Sequence, residues 1–248
     1  MLLIFISSLV RADQLEKQAA ELTYQQQPTT EAGQLNELDS NYSADLTKDT
    51  LLKKLKKEYK DIHFLEADFV QKSKQMGMEV EQSGHLYTAK PKNIRWEFKT
   101  PTEQLFVSDG SSQWTYYPIM NQAIHSTDLS THPASGLLND LSSIEEHFSI
   151  EVVEQSDVNI VVGITPHNAE LSQQFETMQI KLIKEPLQIQ EVFLKDNMGG
   201  EFVLSLSNVK LDRGAEQLSE EDKKARASLF LFVPPEGTDV IKADTFTQ

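Results

Sequence analysis

The chain has 248 residues, no cysteine and a formal charge of −15 at pH 7. An acidic protein of this kind does not suit a polyanionic partner, so we expect no contact with nucleic acid. The lack of cysteine excludes disulfides, thiolate metal sites, a cysteine nucleophile and attachment of lipid through a thiol.

The N-terminus reads MLLIFISSLVRAD, an apolar stretch that ends in a small residue. We predict that residues 1–12 are a signal peptide cleaved near Ala12, which would place the mature protein in the periplasm. The alternatives are that this segment is an uncleaved membrane anchor or that it is an N-terminus buried in the fold. The apolar stretch is too short to span a bilayer, because a spanning helix needs about 20 residues.

Residues 13–46 are polar and acidic, with seven acids against one base. This composition offers too few apolar side chains to offset the entropy of ordering, so we predict an extension or linker. The globular domain is then 47–248.

The first helix is predicted from TKDTLLKKLKKEYKDI, where Leu51, Leu55, Tyr59 and Ile62 recur at helical spacing. Six lysines lie on its other side. We interpret them as the solvated face of a helix that packs on a sheet. A docking face for an acidic partner or an anionic membrane is the alternative.

After Ile62 the apolar residues alternate with polar ones through most of the chain, which predicts roughly ten or eleven antiparallel strands. Asp109-Gly110 predicts a hairpin with a type I′ turn. A helical interlude is expected over 134–148, and SLFLFVPPEG near the C-terminus is predicted to be a last strand. The fold class is mainly β, with helices that cover one large sheet.

Motifs for reaction chemistry are missing from the sequence: we find no nucleophile elbow, phosphate-binding loop, dinucleotide fingerprint or zincin helix. His125, Asp128 and His132 are the one group that resembles metal ligands, and their spacing suits no common zinc site. We therefore expect no catalytic residues, no metal and no cofactor. A hydrolase with a carboxylate pair remains the less favoured alternative.

The order of motifs between residues 65 and 122 resembles the periplasmic lipoprotein carrier family, LolA. The stretches are LEADFVQ, GHLYTAKPKNIRWEF, TPTEQLFVSDGSSQWTYYP and NQA, and FLFVPPEGTDVI is similar to the family's ending. The matching residues are Ala67, Phe69, Gln71, Gly84, Leu86, Pro91, Arg95, Trp96, Asp109, Gly110, Trp114, Pro118 and Gln122. Two departures are Leu65, where the family has an aromatic residue, and Lys90, where it has arginine.

The resemblance implies an unclosed antiparallel β-barrel of about eleven strands, with helices at its mouth and an apolar cavity for acyl chains. It implies a chaperone that receives acylated lipoproteins from an inner-membrane ABC transporter and passes them to an outer-membrane lipoprotein acceptor. We expect a monomer. A carrier or sensor for another lipid or acylated protein on the same fold is the alternative.

The predicted cavity residues come from the alternating strands. Alternation alone favours the ordinary sealed core of a sandwich or barrel, and the resemblance reverses this preference in favour of an apolar cavity partly open to ligand. The expected cavity residues are Leu65, Phe69, Leu86, Ile94, Trp96, Phe98, Leu105, Val107, Trp114 and Tyr116. The resemblance also implies that Lys90 holds the lid helices, although an ammonium lacks the planar fork of a guanidinium.

Overall fold

A computed structural model describes residues 46–127, 138, 141–214 and 218–243, with the side chains of 170 and 171 excepted. The predicted signal peptide and nearly all of the predicted extension lie outside the described residues, as do Asp128 and His132.

Twelve strands of the described chain form one sheet in the order β12-β6-β5-β4-β3-β2-β1-β11-β10-β9-β8-β7. The strands are β1 Phe64–Gln75, β2 Met78–Ala89, β3 Asn93–Thr100, β4 Gln104–Ser108, β5 Gln113–Tyr117, β6 Gln122–Ser126, β7 Phe148–Gln155, β8 Asn159–Pro166, β9 Phe175–Lys184, β10 Leu187–Asp196, β11 Glu201–Asp212 and β12 Asp239–Lys242. Neighbours are antiparallel except β12 and β6, which are parallel. The two edge strands of the described sheet, β12 and β7, are not paired with each other, so the sheet is unclosed, as predicted.

Four α-helices accompany the described strands: α1 Lys48–Tyr59, α2 Ile144–His147, α3 Ala169–Ser172 and α4 Glu220–Leu229. Short 3₁₀ helices occupy Pro118–Met120 and Leu141–Ser143. The described part of the predicted interlude is thus helical up to His147.

Helix α1 begins where Thr47 Oγ1 accepts a hydrogen bond from Thr50 N, at 3.3 Å. Its buried residues are Leu51, Leu52, Leu55 and Tyr59, as the helical spacing predicted. They join one apolar core with residues of β1–β3 and β7–β11. We call the face of the sheet that belongs to this core the inner face.

Two local predictions were wrong. SLFLFVPPEG is no strand: α4 runs to Leu229, and the residues that follow form turns and irregular backbone until β12 begins. The Asp109-Gly110 hairpin is present, but only Gly110 has a positive φ, of 83°, whereas a type I′ turn needs two such residues. Its loop spans four residues, because the last paired residues are Ser108 and Gln113.

The same loop is held by the Asp109 carboxylate, which accepts hydrogen bonds from Ser111 N and Ser112 N, both at 2.8 Å. Partial burial would raise the pKa of Asp109, but hydrogen bonds from the Ser111 hydroxyl and from these backbone N–H groups outweigh it and lower the pKa. The loop is therefore stabilised by the hydrogen bonds of the Asp109 side chain, and not by the second residue of positive φ that a type I′ turn would have.

Candidate functional site

Six of the ten predicted cavity residues lie on the inner face: Leu65, Phe69, Leu86, Ile94, Trp96 and Phe98. Cross-strand pairing brings them together, since Phe69 is opposite Gly84, which is opposite Phe98, and Leu86 is opposite Trp96. All six are at most 7% exposed. They form a continuous apolar wall across β1, β2 and β3.

The centre of this wall is an aromatic cluster, which we define as Phe69, Trp96 and Phe98. The Phe69 ring meets Trp96 and Phe98 edge-on, with centroids 5.6 and 5.2 Å away, and Trp96 stacks on Phe98 at 5.9 Å. Such contacts contribute about 0.5–1.5 kcal/mol each beyond the area that they bury. In this structure the cluster is packed against itself.

Gly84 allows this packing, because it lies between Phe69 and Phe98 in the ladder. A Cβ at this position would lie 1.8 Å from the carbonyl oxygen of Glu97. The glycine therefore lets strand β3 approach β2 closely enough for the aromatic rings to touch.

The other four predicted residues, Leu105, Val107, Trp114 and Tyr116, lie on the opposite, outer face. Trp96 of the inner face is opposite Phe106. Val107 is opposite Arg95 on one side and Trp114 on the other, and it therefore lies on the outer face with them. The prediction that all ten share one wall is corrected: the hairpin register sets the faces of β4 and β5, and a shift of one residue exchanges them. Phe106, which the sequence analysis missed, holds the inner position on β4.

The outer-face aromatics pack under the C-terminal segment. The Phe232 ring lies 5.6 Å from Trp114 and 5.3 Å from Tyr116. Upstream, Arg95 Nη1 donates to the Leu229 carbonyl at 3.0 Å. These residues form a second, smaller apolar layer that joins α4 and the following segment to the sheet.

Lys90 lies at the C-terminal end of α1. Its Nζ donates to the carbonyl oxygens of Tyr59 and Lys60, at 3.1 and 3.4 Å. Arg213 Nη1 donates to the Glu58 carbonyl beside them. Cations are favourable here because the last carbonyls of a helix lack partners within the helix and carry partial negative charge.

Tyr59 fastens the same end of α1 to the sheet from the inside. Its hydroxyl donates to the Leu187 carbonyl at 3.2 Å, and burial raises the pKa of Tyr59 to about 12. The phenol is therefore neutral and a hydrogen-bond donor throughout the physiological pH range.

Among the cavities formed by the described residues, two border the core. The smaller, of about 10 Å³, lies beneath the end of α1 between Tyr59, Leu65 and Lys90, and could hold about one water molecule at most. The larger, of about 270 Å³, lies between β7, β8 and β9. Trp96 and Phe98 line neither, so an acyl chain on the aromatic cluster would have to displace packed side chains.

Across the described ranges, no group of three or more His, Asp or Glu is placed to hold a metal ion. Of the helices in the same part of the chain, none has the length and apolar character needed to cross a bilayer.

The family model and the relatives that match this chain carry the same description. A family model described as outer membrane lipoprotein carrier protein LolA matches residues 60–217. A protein of Nitrosomonas europaea named outer-membrane lipoprotein carrier protein is 29% identical over 163 residues, covering 64% of this chain and 72% of its own. One of the same name from Alkalilimnicola ehrlichii is 28% identical over 194 residues, covering 76% and 82%.

Solved structures are more distant. A LolA superfamily protein of Nitrosomonas europaea has a TM-score of 0.39 at 11% identity, over 71% of this chain and 97% of that one. An uncharacterized conserved protein of Thermus thermophilus has a TM-score of 0.46 at 15% identity, over 78% and 98%. Similarities this low support no argument, and the fold described above rests on the strand pairing itself.

Proposed function

Since the chain belongs to the outer membrane lipoprotein carrier (LolA) family, we propose that it is a periplasmic carrier that holds the acyl chains of lipoproteins against its inner face. The observation that supports this best is the apolar wall of β1–β3, whose aromatic cluster is covered on the inner face by the core that α1 completes. The chain itself works without catalysis in this proposal: it binds, shields and releases.

The magnitude of acyl burial constrains how such a carrier works. Each buried methylene contributes about 0.8 kcal/mol, so one chain of about 16 carbons represents on the order of 10 kcal/mol. A fully open complementary cavity for several chains would release its cargo very slowly. The packed wall offsets part of this gain, because the cargo must first separate the rings of Phe69, Trp96 and Phe98.

The lid in this proposal is α1, and Lys90 is the residue that holds its C-terminal end. Displacing α1 would expose Leu51, Leu55 and the part of the apolar core that they contact. We propose that an inner-membrane ABC transporter drives this loading step and that an outer-membrane acceptor receives the cargo from the monomeric carrier.

Mass spectrometry of what co-purifies with the exported protein tests the function. Lipopeptides with intact acyl chains are expected. Free lipids alone would point to a carrier of another lipid, and recovery of nothing apolar would contradict acyl binding of any kind.

The matched variants are Phe98→Glu, on the wall, and Val153→Glu, at a 54% exposed position on β7. Phe98→Glu is expected to lower the melting temperature, and the protein that folds should lose most binding of a fluorescent acyl probe, because the carboxylate must be desolvated against the chain. Val153→Glu should bind like the wild type. Folded Phe98→Glu protein with undiminished binding would exclude the wall as the site.

A further inference from the structure

The ladder between β8 and β9 stops before either strand ends. Pairing runs from Asn159 opposite Ile183 to Gly163 opposite Gln179. The residues that would follow in this register, Ile164 opposite Met178 and Thr165 opposite Thr177, are not paired with each other, although β8 continues to Pro166 and β9 begins at Phe175. The two strands therefore diverge toward this end and leave a cleft between them.

The segment that joins β8 to β9 is fastened to neighbours on either side of the cleft. His167 N donates to the His147 carbonyl at 2.8 Å, which holds the β8 end toward β7. Asn197 N donates to the Gln174 carbonyl at 3.3 Å, which holds the β9 start toward the β10–β11 turn. The two bonds therefore hold the end of β8 and the start of β9 to different neighbours, on opposite sides of the cleft.

The cleft encloses about 270 Å³ and is lined by two kinds of residue. Ile150, Ile164 and Met178 line it and belong to the apolar core, where each is at most 5% exposed. Ser149, Gly163, Thr165 and Thr177 are small or hydroxylated and leave its outer part open. A volume slightly below the usual range for small-molecule sites suits one alkyl chain rather than several.

Charge at the cleft selects among ligands with an alkyl chain. The charged residues that line it are Glu151 and Glu176, and both side chains are exposed to solvent. Glu176 is partly neutralised by Lys195, whose Nζ lies 2.8 Å from its Oε2. An anionic head group would meet these carboxylates, whereas a neutral ester or amide can use the serine and threonine hydroxyls.

The cleft lies far from the lid. Helix α1 contacts the other end of β9, where Lys54 Nζ donates to the Lys184 carbonyl at 2.9 Å. Thr177 and Lys184 are seven residues apart on one strand, which is roughly 23 Å at about 3.3 Å per residue. A ligand could thus reach the core here with α1 still in place.

We propose that this cleft is a lateral entrance through which one alkyl chain whose head group carries no negative charge reaches the inner face. The inference rests on the proposed acyl-chain function, and it adds a route and a head-group preference to it. An extended peptide paired with the free edges of β8 and β9 is the competing occupant.

Bridging the cleft tests the route. Because the chain has no cysteine, Thr165→Cys with Thr177→Cys can be joined by a short bis(methanethiosulfonate) reagent, which forms a disulfide with each thiol and releases methanesulfinate. Val161→Cys with Lys181→Cys, a paired position of the same two strands, is the control. Bridging at 165 and 177 should slow uptake of a neutral fluorescent alkyl ester at least tenfold, reversibly with reductant. The control bridge should leave uptake unchanged.

Uptake that is equally fast in both bridged proteins would overturn the proposal, as would uptake slowed only by added extended peptide. If the first pair does not fold, Thr177→Trp fills the cleft from one wall and should slow uptake likewise. A different result would contradict the proposed function itself: the wild-type protein would bind no alkyl probe at equilibrium.

The head-group preference is tested by comparing the uptake rates of a charged and an uncharged probe. The same alkyl probe as a carboxylate should enter at least tenfold more slowly than its methyl ester. Glu151→Gln should narrow this difference, while Glu154→Gln, an exposed acid on β7 outside the cleft lining, should not. Equal rates for the two probes in the wild type would overturn the head-group preference.

Discussion

At the scale of single residues, Gly84 and the Asp212–Arg226 pair show two different ways in which one position controls the sheet. Gly84 acts through the space that it leaves, since its neighbour across the ladder is a backbone carbonyl that cannot move independently. The Asp212–Arg226 pair acts through charge, at the point where β11 ends and α4 packs.

Gly84→Ala is expected to destabilise the domain by about 3 kcal/mol or more, because its Cβ would overlap the Glu97 carbonyl and force β2 and β3 apart. In a chain of this size that is roughly a 10 °C fall in melting temperature. Gly163→Ala is the matched control. Its Cβ would lie 3.1 Å from Cγ2 of the Val153 side chain and in ordinary contact, at 3.9 Å, with the Glu151 carbonyl oxygen, so the melting temperature should change little. Equal losses in both variants would contradict this account.

Asp212 should make the domain less stable in acid. Hydrogen bonds from Gly214 N and from the Arg226 side chain lower the pKa of the Asp212 carboxyl. A group with a lowered pKa stabilises the folded state above its unfolded value, about 3.9, and loses that contribution as pH falls through the folded value. Asp212 is 26% exposed, so water screens the pair and we expect roughly 1 kcal/mol at pH 7.

Urea unfolding as a function of pH checks this. Asp212→Asn should be less stable than the wild type at pH 7, and the gap should close below about pH 4 as the wild-type carboxyl is protonated. A gap of constant size down to pH 2 would mean that charge at Asp212 is not responsible.

At the scale of elements, helix ends are where the sequence and the rest of the fold meet. Helix α4 was not predicted, yet it starts at a recognisable cap: Ser219 Oγ accepts from Asp222 N at 3.1 Å, with Glu220 and Glu221 in the first turn. Helix α4 could therefore have been predicted from its N-terminal cap. The groups that cap the C-terminal end of α1 could not have been predicted, because Lys90 and Arg213 come from distant parts of the chain.

Lys90 variants test the attachment of α1. Lys90→Met keeps the aliphatic stem but removes the donors to Tyr59 and Lys60, so release of a bound acyl probe should be several-fold faster. Lys90→Arg offers more donors to the same carbonyls and should slow release. Lys92→Met, an exposed neighbour, serves as the control. Release that is the same in all four proteins would remove Lys90 from the lid.

At the scale of the whole molecule, the sheet is covered differently on its two faces. Helix α1 and the core cover the inner face, while α4 and the C-terminal segment cover the aromatic residues of the outer face. Strand β12 also pairs with β6, which would otherwise be an edge of the described sheet. The C-terminal segment thus protects both an apolar patch and a strand edge.

Truncation before Phe230 should therefore lower the melting temperature by roughly 10 °C and cause self-association. Loss of two partly or fully buried phenylalanines removes several kcal/mol of apolar burial, and the freed β6 edge can pair with other chains. Calorimetry and light scattering measure the two effects. Leu231→Gln, at a 64% exposed position between the two phenylalanines, should show neither effect. A monodisperse truncated protein would argue against a protective role.

The sequence by itself determined the fold class, helix α1 and the identity of most strands, because burial on one face imposes a period of two on a strand and 3.6 on a helix. It also placed six residues of the apolar wall, since Leu65 and Phe69 alternate in β1, and Leu86 lies in β2, which pairs with both β1 and the strand of Trp96. These patterns are local, because the alternation of each strand is contained in the sequence of that strand alone.

Only the tertiary structure decided which face each strand turns inward. Alternation shows that Leu105 and Val107 share a face, but the pairing of Trp96 with Phe106 is what turns that face outward. The β8–β9 cleft and the attachment of Lys90 to α1 are likewise absent from any local pattern. Register, divergence and long-range caps depend on contacts between residues far apart in the chain, and periodicity within one strand holds no information about its partner.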